Sequence, residues 1–135
     1  MVVTFTKPVT VAGSTTPPSS SATVNGVGSV SSVTVNGSQV TVNLSGVDNQ
    51  QTINVVLNNV SDGTNVGNVA IPMGVLLGDT NADRAVNSAD ISQTKSQSGQ
   101  PVTLSNFRED LNVDGSINSA DISLVKSKSG TALAP

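Results

Sequence analysis

Six of the eight Asp residues lie in the last 57 residues of this 135-residue chain, and their spacing repeats. Asp79, Asn81, Asp83, Asn87 and Asp90 occupy positions 1, 3, 5, 9 and 12 of a twelve-residue stretch. Asp110, Asn112, Asp114, Asn118 and Asp121 occupy the same positions 31 residues later. With the main-chain carbonyls of Ala85 and Ser116 at position 7, this is the oxygen spacing of a calcium loop. Calcium is a hard cation that takes roughly six to eight oxygen ligands, and alternate residues of a tight loop turn such oxygens inward. The spacing predicts one Ca2+ in each loop, two ions in all. One such run is an ordinary Asx-rich turn; a pair of solvated turns does not explain six Asp at the same three positions twice.

The elements that must hold these loops show the same duplication. Aligning Asp79–Gly99 with Asp110–Gly130 gives 13 identities in 21 positions. Position 12 is Asp rather than the longer Glu, so the loop must close more tightly to offer both carboxylate oxygens. Position 6 is Gly115 in the second loop and Arg84 in the first. A left-handed conformation there costs a non-Gly residue about 1 kcal/mol, which predicts a weaker first site. Val86 and Ile117 at position 8 can pair between the loops. Each loop runs into a short helix, with Ser88 and Ser119 as N-caps, Ile91 and Ile122 facing inward, and Gly99 and Gly130 as closing residues. Gln93-Thr94 in the first helix stands where the second has Leu124-Val125, so the first is expected to be more open to solvent.

The rest of the composition removes most other chemistries. The chain has no His, Cys, Trp or Tyr, so it can build no Ser-His-Asp triad, no Cys-His dyad and no ordinary zinc site. There is no glycine-rich phosphate loop, and the six basic residues form no stripe for nucleic acid. The longest apolar stretch, Val69 to Leu77, is broken by Pro72 and is far short of the roughly 20 residues of a membrane span. An enzyme is not expected, because the only carboxylate clusters are those assigned to calcium. Two bound ions would raise the formal charge from -3 by four units.

Before residue 78 the periodicity is different. Val33-Thr34-Val35, Val40 to Leu44 and Ile53, Val55, Leu57 alternate apolar and polar side chains, as half-buried strands do. Val2 to Thr6, Val9 to Val11 and Val66 to Ile71 read as further strands. Asn36-Gly37, Asn25-Gly26 and Asp62-Gly63 mark turns, the first a tight hairpin with positive φ at both residues. Thr15 to Ser21 reads as a loop within this region rather than a linker. Several short strands with such punctuation predict an antiparallel β-sandwich over residues 1–77, followed by an all-α calcium region over residues 78–135.

Two family resemblances rest on these residues. The tandem loop–helix units without an entering helix, the Asp at position 12, and the motifs Gly78-Asp79-x-Asn81-x-Asp83 and Asp110-x-Asn112-x-Asp114-Gly115 resemble a type I dockerin over residues 78–133. The resemblance implies an EF-hand-like (F-hand) pair, one calcium per repeat, an extracellular or bacterial cell-surface setting, and attachment to a cohesin domain. It places partner contacts at Ser88, Ala89, Lys95 and Ser96, and at Ser119, Ala120, Lys126 and Ser127. Their identity between repeats is similar to the pseudo-two-fold symmetry that lets some dockerins bind in two orientations. Helix capping accounts for the Ser-Ala pairs equally well. Residues 1–77 resemble bacterial immunoglobulin-like surface domains through Val3-Thr4-Phe5-Thr6-Lys7-Pro8-Val9 and Gly46-Val47 with Val60-Ser61-Asp62.

The expected function is therefore a non-catalytic, calcium-binding attachment module with a protein partner. The alternative is a calcium-stabilised subunit of an extracellular fibre or surface layer. In that case the partners are neighbouring copies, and Val2–Thr6 adds to a neighbour's sheet edge.

Overall fold

The computed structural model describes residues 1–12 and 21–135, so most of the expected Thr15–Ser21 loop lies outside the described residues. The chain divides into two compact units. One comprises Met1–Asp48 and Thr52–Met73, the other Asn49–Gln51 and Gly74–Pro135.

The first unit is all β. Its strands are β1 (Val2–Thr4), β2 (Thr10–Val11), β3 (Ala22–Asn25), β4 (Ser29–Asn36), β5 (Gln39–Ser45) and all but the end residues Gln51, Gly74 and Val75 of β6 (Gln51–Ser61) and β7 (Val66–Val75). They form two sheets, one in the order β1-β5-β4 and the other β2-β6-β3 with β7 also paired to β6. The alternation read from the sequence becomes alternating burial: Val40 and Val42 on β5, and Ile53, Val55 and Leu57 on β6, are fully buried. Val11, Ala22 and Val33 add to the same buried apolar set.

The turns carry the first correction. Asn36 pairs with Gln39, so the two-residue loop between β4 and β5 is Gly37-Ser38 rather than Asn36-Gly37. Only Gly37 takes positive φ (59°), the arrangement in which glycine leads the turn. The strand expected from Val2 to Thr6 ends at Thr4 and pairs antiparallel with β5, Val3 opposite Val40. The Met1 ammonium donates to Val42 O (2.8 Å) and fastens its start. One edge of that strand is thus already used within its own sheet.

The second unit contains α1 (Ser88–Gln97), a single 3₁₀ turn at Phe107–Glu109, and α2 (Ser119–Lys128). The two α-helices pack together. Neither has an apolar stripe of any width, and their buried positions are Asp90 and Thr94 in α1, Asp121 and Val125 in α2. Ile91 and Ile122, expected to face inward, are only half-buried. Thr94 is as deeply buried as Val125, so α1 is not the more open helix at this position. Its hydroxyl donates to Asp90 O (2.9 Å), which satisfies the polar atom a valine would not carry. Among the described residues no helix is long and apolar enough to cross a membrane.

Candidate metal centre

Each helix starts where its loop ends, and the same side chains serve both. Asn87 and Asn118, not the expected Ser88 and Ser119, are the N-caps. Both asparagines are extended, and each side chain accepts from the N–H two residues on, Ala89 N (2.7 Å) and Ala120 N (2.8 Å). Asp90 and Asp121 close the capping box by accepting from Asn87 N (2.8 Å) and Asn118 N (2.9 Å). Positions 9 and 12 of each loop are therefore fixed by the first turn of the helix. The serines fall one residue inside it, because the capping box pairs Asn87 with Asp90 and Asn118 with Asp121.

Within the loops the hydrogen bonds of one repeat recur in the other. Asp79 accepts from Asp83 N (3.1 Å) and Arg84 N (3.0 Å), and Asp110 accepts from Asp114 N (3.1 Å) and Gly115 N (3.0 Å). Asn81 Oδ1 also accepts from Asp83 N (2.9 Å), as Asn112 Oδ1 does from Asp114 N (3.0 Å). Asp83 and Asp114 accept from Ala85 N and Ser116 N, both at 2.9 Å. Asp90 Oδ1 takes Thr80 N (2.9 Å) and Asn81 N (3.3 Å); Asp121 Oδ1 takes Leu111 N (2.9 Å) and Asn112 N (3.3 Å). The oxygens at positions 1 and 3 thus meet at one amide nitrogen, and position 12 reaches back to the loop's start.

The backbone that allows this turns left-handed at the same places twice. Ala82 and Val113 at position 4 have φ of 63° and 57°, and Arg84 and Gly115 at position 6 have 75° and 85°. Arg84 thus holds the conformation in which its side chain is a cost. Gly78, at φ 101°, enters the first loop where an added Cβ would stand 3.1 Å from Val86 Cγ1, so only glycine fits without displacement.

At position 8, Val86 and Ile117 are buried, and their backbones bond to segments that follow the helices. Val86 N donates to Thr131 O (2.8 Å) and Gly130 N to Val86 O (2.8 Å), while Gly99 N donates to Ile117 O (2.9 Å). Ala85 bridges Ala132 and Ser116 bridges Pro101, each antiparallel. Gly99 and Gly130 make this exchange possible by closing the helices at φ 85° and 93°. The first loop receives an extra tie: Leu133 N donates to Arg84 O (2.9 Å) and Arg84 Nη2 to Ala134 O (2.7 Å).

The electrostatics are those of carboxylates held by N–H groups. The Ala85 N–H, helped by the Asn81 and Asn87 side-chain amides, keeps the Asp83 carboxyl below its ordinary range. Asp90 and Asp121 are fully buried. The bonds described for them come from backbone N–H groups and the Thr80 hydroxyl, not from a cation.

Residues 77–128 match the family model of the dockerin type I domain. The matched stretch holds both loops and both helices. Dockerin domains are EF-hand-like, non-catalytic modules that bind calcium and attach to another protein, so this part of the chain is a calcium-binding interaction module. Among curated proteins and among solved structures nothing matches the chain.

The residues present fit a calcium ion by donor chemistry. Every side chain at positions 1, 3, 5, 9 and 12 offers a hard oxygen. Each Asp79 oxygen accepts a single N–H, and Asp90 Oδ2 does likewise, which leaves acceptor capacity on these atoms. Among the described residues no three acidic side chains converge as a cluster. Asn81 and Asn112 instead donate to Asp83 Oδ2 (3.0 Å) and Asp114 Oδ2 (2.7 Å). Calcium would be held by a mixed set of carboxylate, amide and carbonyl oxygens, with those amides turned to present oxygen.

The eight residues expected at a partner interface, Ser88, Ala89, Lys95 and Ser96 with Ser119, Ala120, Lys126 and Ser127, are all exposed. On each helix they lie two turns apart, which puts them on one face.

Proposed function

We propose that this chain is an extracellular attachment module of the bacterial cell surface, with the dockerin region docking a cohesin-like domain and the β unit acting as an immunoglobulin-like spacer. Each loop binds one Ca2+. In the first, Asp79, Asn81, Asp83, the Ala85 carbonyl, Asn87 and Asp90 supply the ligands; in the second, Asp110, Asn112, Asp114, the Ser116 carbonyl, Asn118 and Asp121 do. The observation that carries the reading is the recurrence of the same backbone-to-side-chain hydrogen bonds at positions 1, 3, 5, 9 and 12 in both repeats. A loop selected only for turning would not need the same carboxylates twice.

Calcium acts here as a structural ligand. Bound by carboxylate, amide and carbonyl oxygens from along the loop, the ion orders loop and helix start together. The ordered helices then present Ser88, Ala89, Lys95 and Ser96, or Ser119, Ala120, Lys126 and Ser127, to the partner. Because the two sets are identical, either helix can lead.

The test is capture of the full chain by an immobilised type I cohesin, with calcium and then with chelator. Calcium-dependent capture is expected, weakened when Ser88, Ala89, Ser119 and Ala120 are replaced together and little changed when only one pair is. No capture, or formation of calcium-dependent polymers in place of a soluble complex, would overturn the docking assignment.

A further inference from the structure

Between the two repeats the chain leaves two large apolar side chains in solvent: Leu104 is 96 % exposed and Phe107 54 %. They line a cleft of about 420 Å³ together with Thr80 and Asn81 of the first loop and Gln93, Arg108 and Glu109, all in the second unit. The cleft is separate from the exposed Ser-Ala faces of α1 and α2.

Its other wall is unusual. Glu109 is the chain's single Glu and only 2 % exposed. Its Oε1 accepts from Gln93 Nε2 (2.6 Å), which also donates to Thr80 O (3.3 Å), so the carboxylate is held in place by a neutral amide. Its Oε2 is buried without any hydrogen-bond partner. A buried carboxylate oxygen without a protein donor is a cost to the fold. The neighbouring Arg108 does not supply the missing charge, since its guanidinium lies over the Phe107 ring, 5.8 Å from the centroid.

We propose that this cleft is a second docking site, which takes a lysine or arginine side chain of a partner protein between flanking aliphatic residues. The cation pairs with Glu109: rotation about the terminal torsion brings a carboxylate oxygen to the cleft, and the cation's bond replaces the one from Gln93. Leu104 and Phe107 cover the aliphatic neighbours. A free amine would satisfy the carboxylate but leave both apolar side chains in water, which is why the occupant is assigned as a protein segment. Aromatic and arginine side chains are enriched in protein interfaces over the rest of the surface. This site goes beyond the cohesin-like attachment and does not depend on it.

The test uses the calcium-loaded full chain and two pentapeptides, acetyl-Ala-Leu-Lys-Leu-Ala-amide and the same peptide with glutamate in place of lysine. Binding is followed by changes in the backbone amide signals of residues 102–110. The lysine peptide is expected to shift these signals saturably in the millimolar range typical of so small a ligand, and the glutamate peptide to leave them unmoved. Glu109→Gln keeps the bond to Gln93 and should weaken the lysine peptide about ten-fold or more. Leu104→Ser, at a fully solvated position, should weaken it without altering the fold. Equal response to both peptides, no response to the lysine peptide, or undiminished binding by both variants would overturn the proposal.

Discussion

Arg84 is where the two calcium loops differ most in consequence. It holds the left-handed conformation at position 6 that Gly115 holds in the other repeat, and it recovers part of that cost through the bond from its guanidinium to Ala134 O. The conformational penalty is about 1 kcal/mol or more, while an exposed hydrogen bond contributes less. Ordering of the loop is coupled to metal binding, so the difference should appear in affinity. Arg84→Gly is expected to tighten calcium at the first loop by about five-fold, as read by calorimetry. A weaker first site in the glycine variant would mean that the tie to Ala134 outweighs backbone strain. At this scale the duplicated loop pattern and the helix-closing glycines were legible in the sequence. The caps were not, because Asn87 and Asn118 serve as helix cap and prospective calcium ligand at once, and the adjacent serine is also a good cap former.

At the scale of elements, burial in the helices follows the repeat more faithfully than it follows hydrophobicity. Thr94 sits where α2 has Val125, equally buried, with its hydroxyl returned to Asp90 O. That carbonyl lies within the α-helix and already has a backbone partner, so removing the hydroxyl strands nothing. Thr94→Val should therefore be neutral or stabilising by up to about 1 kcal/mol in chemical unfolding, and a loss larger than that would show a role for the hydroxyl beyond packing. The sequence could not reveal this, since a polar residue in a short helix reads as exposed until its partner is known. In the β unit, alternation marked β5 and β6 because one face of each is buried. It missed β3, whose four residues are too few to show a period.

The turn between β6 and β7 carries its own charge effect. The Asp62 carboxylate accepts from Asn65 N (2.8 Å) and Thr64 N (3.0 Å), and these bonds, aided by Lys7, hold its carboxyl below the ordinary value. A carboxyl lowered on folding adds stability above its unfolded pKa, and that contribution disappears as pH falls through the lowered folded value. Between neutral pH and the acid side of the ordinary carboxylate range, the wild type should lose more stability than Asp62→Asn. Urea midpoints at the two pH values measure this, and parallel losses in both proteins would contradict it.

For the molecule as a whole, calcium is the largest single charge available. Two ions would bring four positive charges to a chain of formal charge -3. Free calcium at about 1,000 times the dissociation constant adds about 4 kcal/mol per site, comparable to the whole stability of a small unit with so thin a core. Chelation should accordingly lower the temperature at which the helical signal is lost. The most direct measurement is calorimetric titration of calcium into the metal-stripped full chain. Two sites are expected, with one of them lost in Asp121→Ala and the other in Asp90→Ala. A stoichiometry of one or none, or two sites that survive either substitution, would contradict the assignment of calcium to these loops.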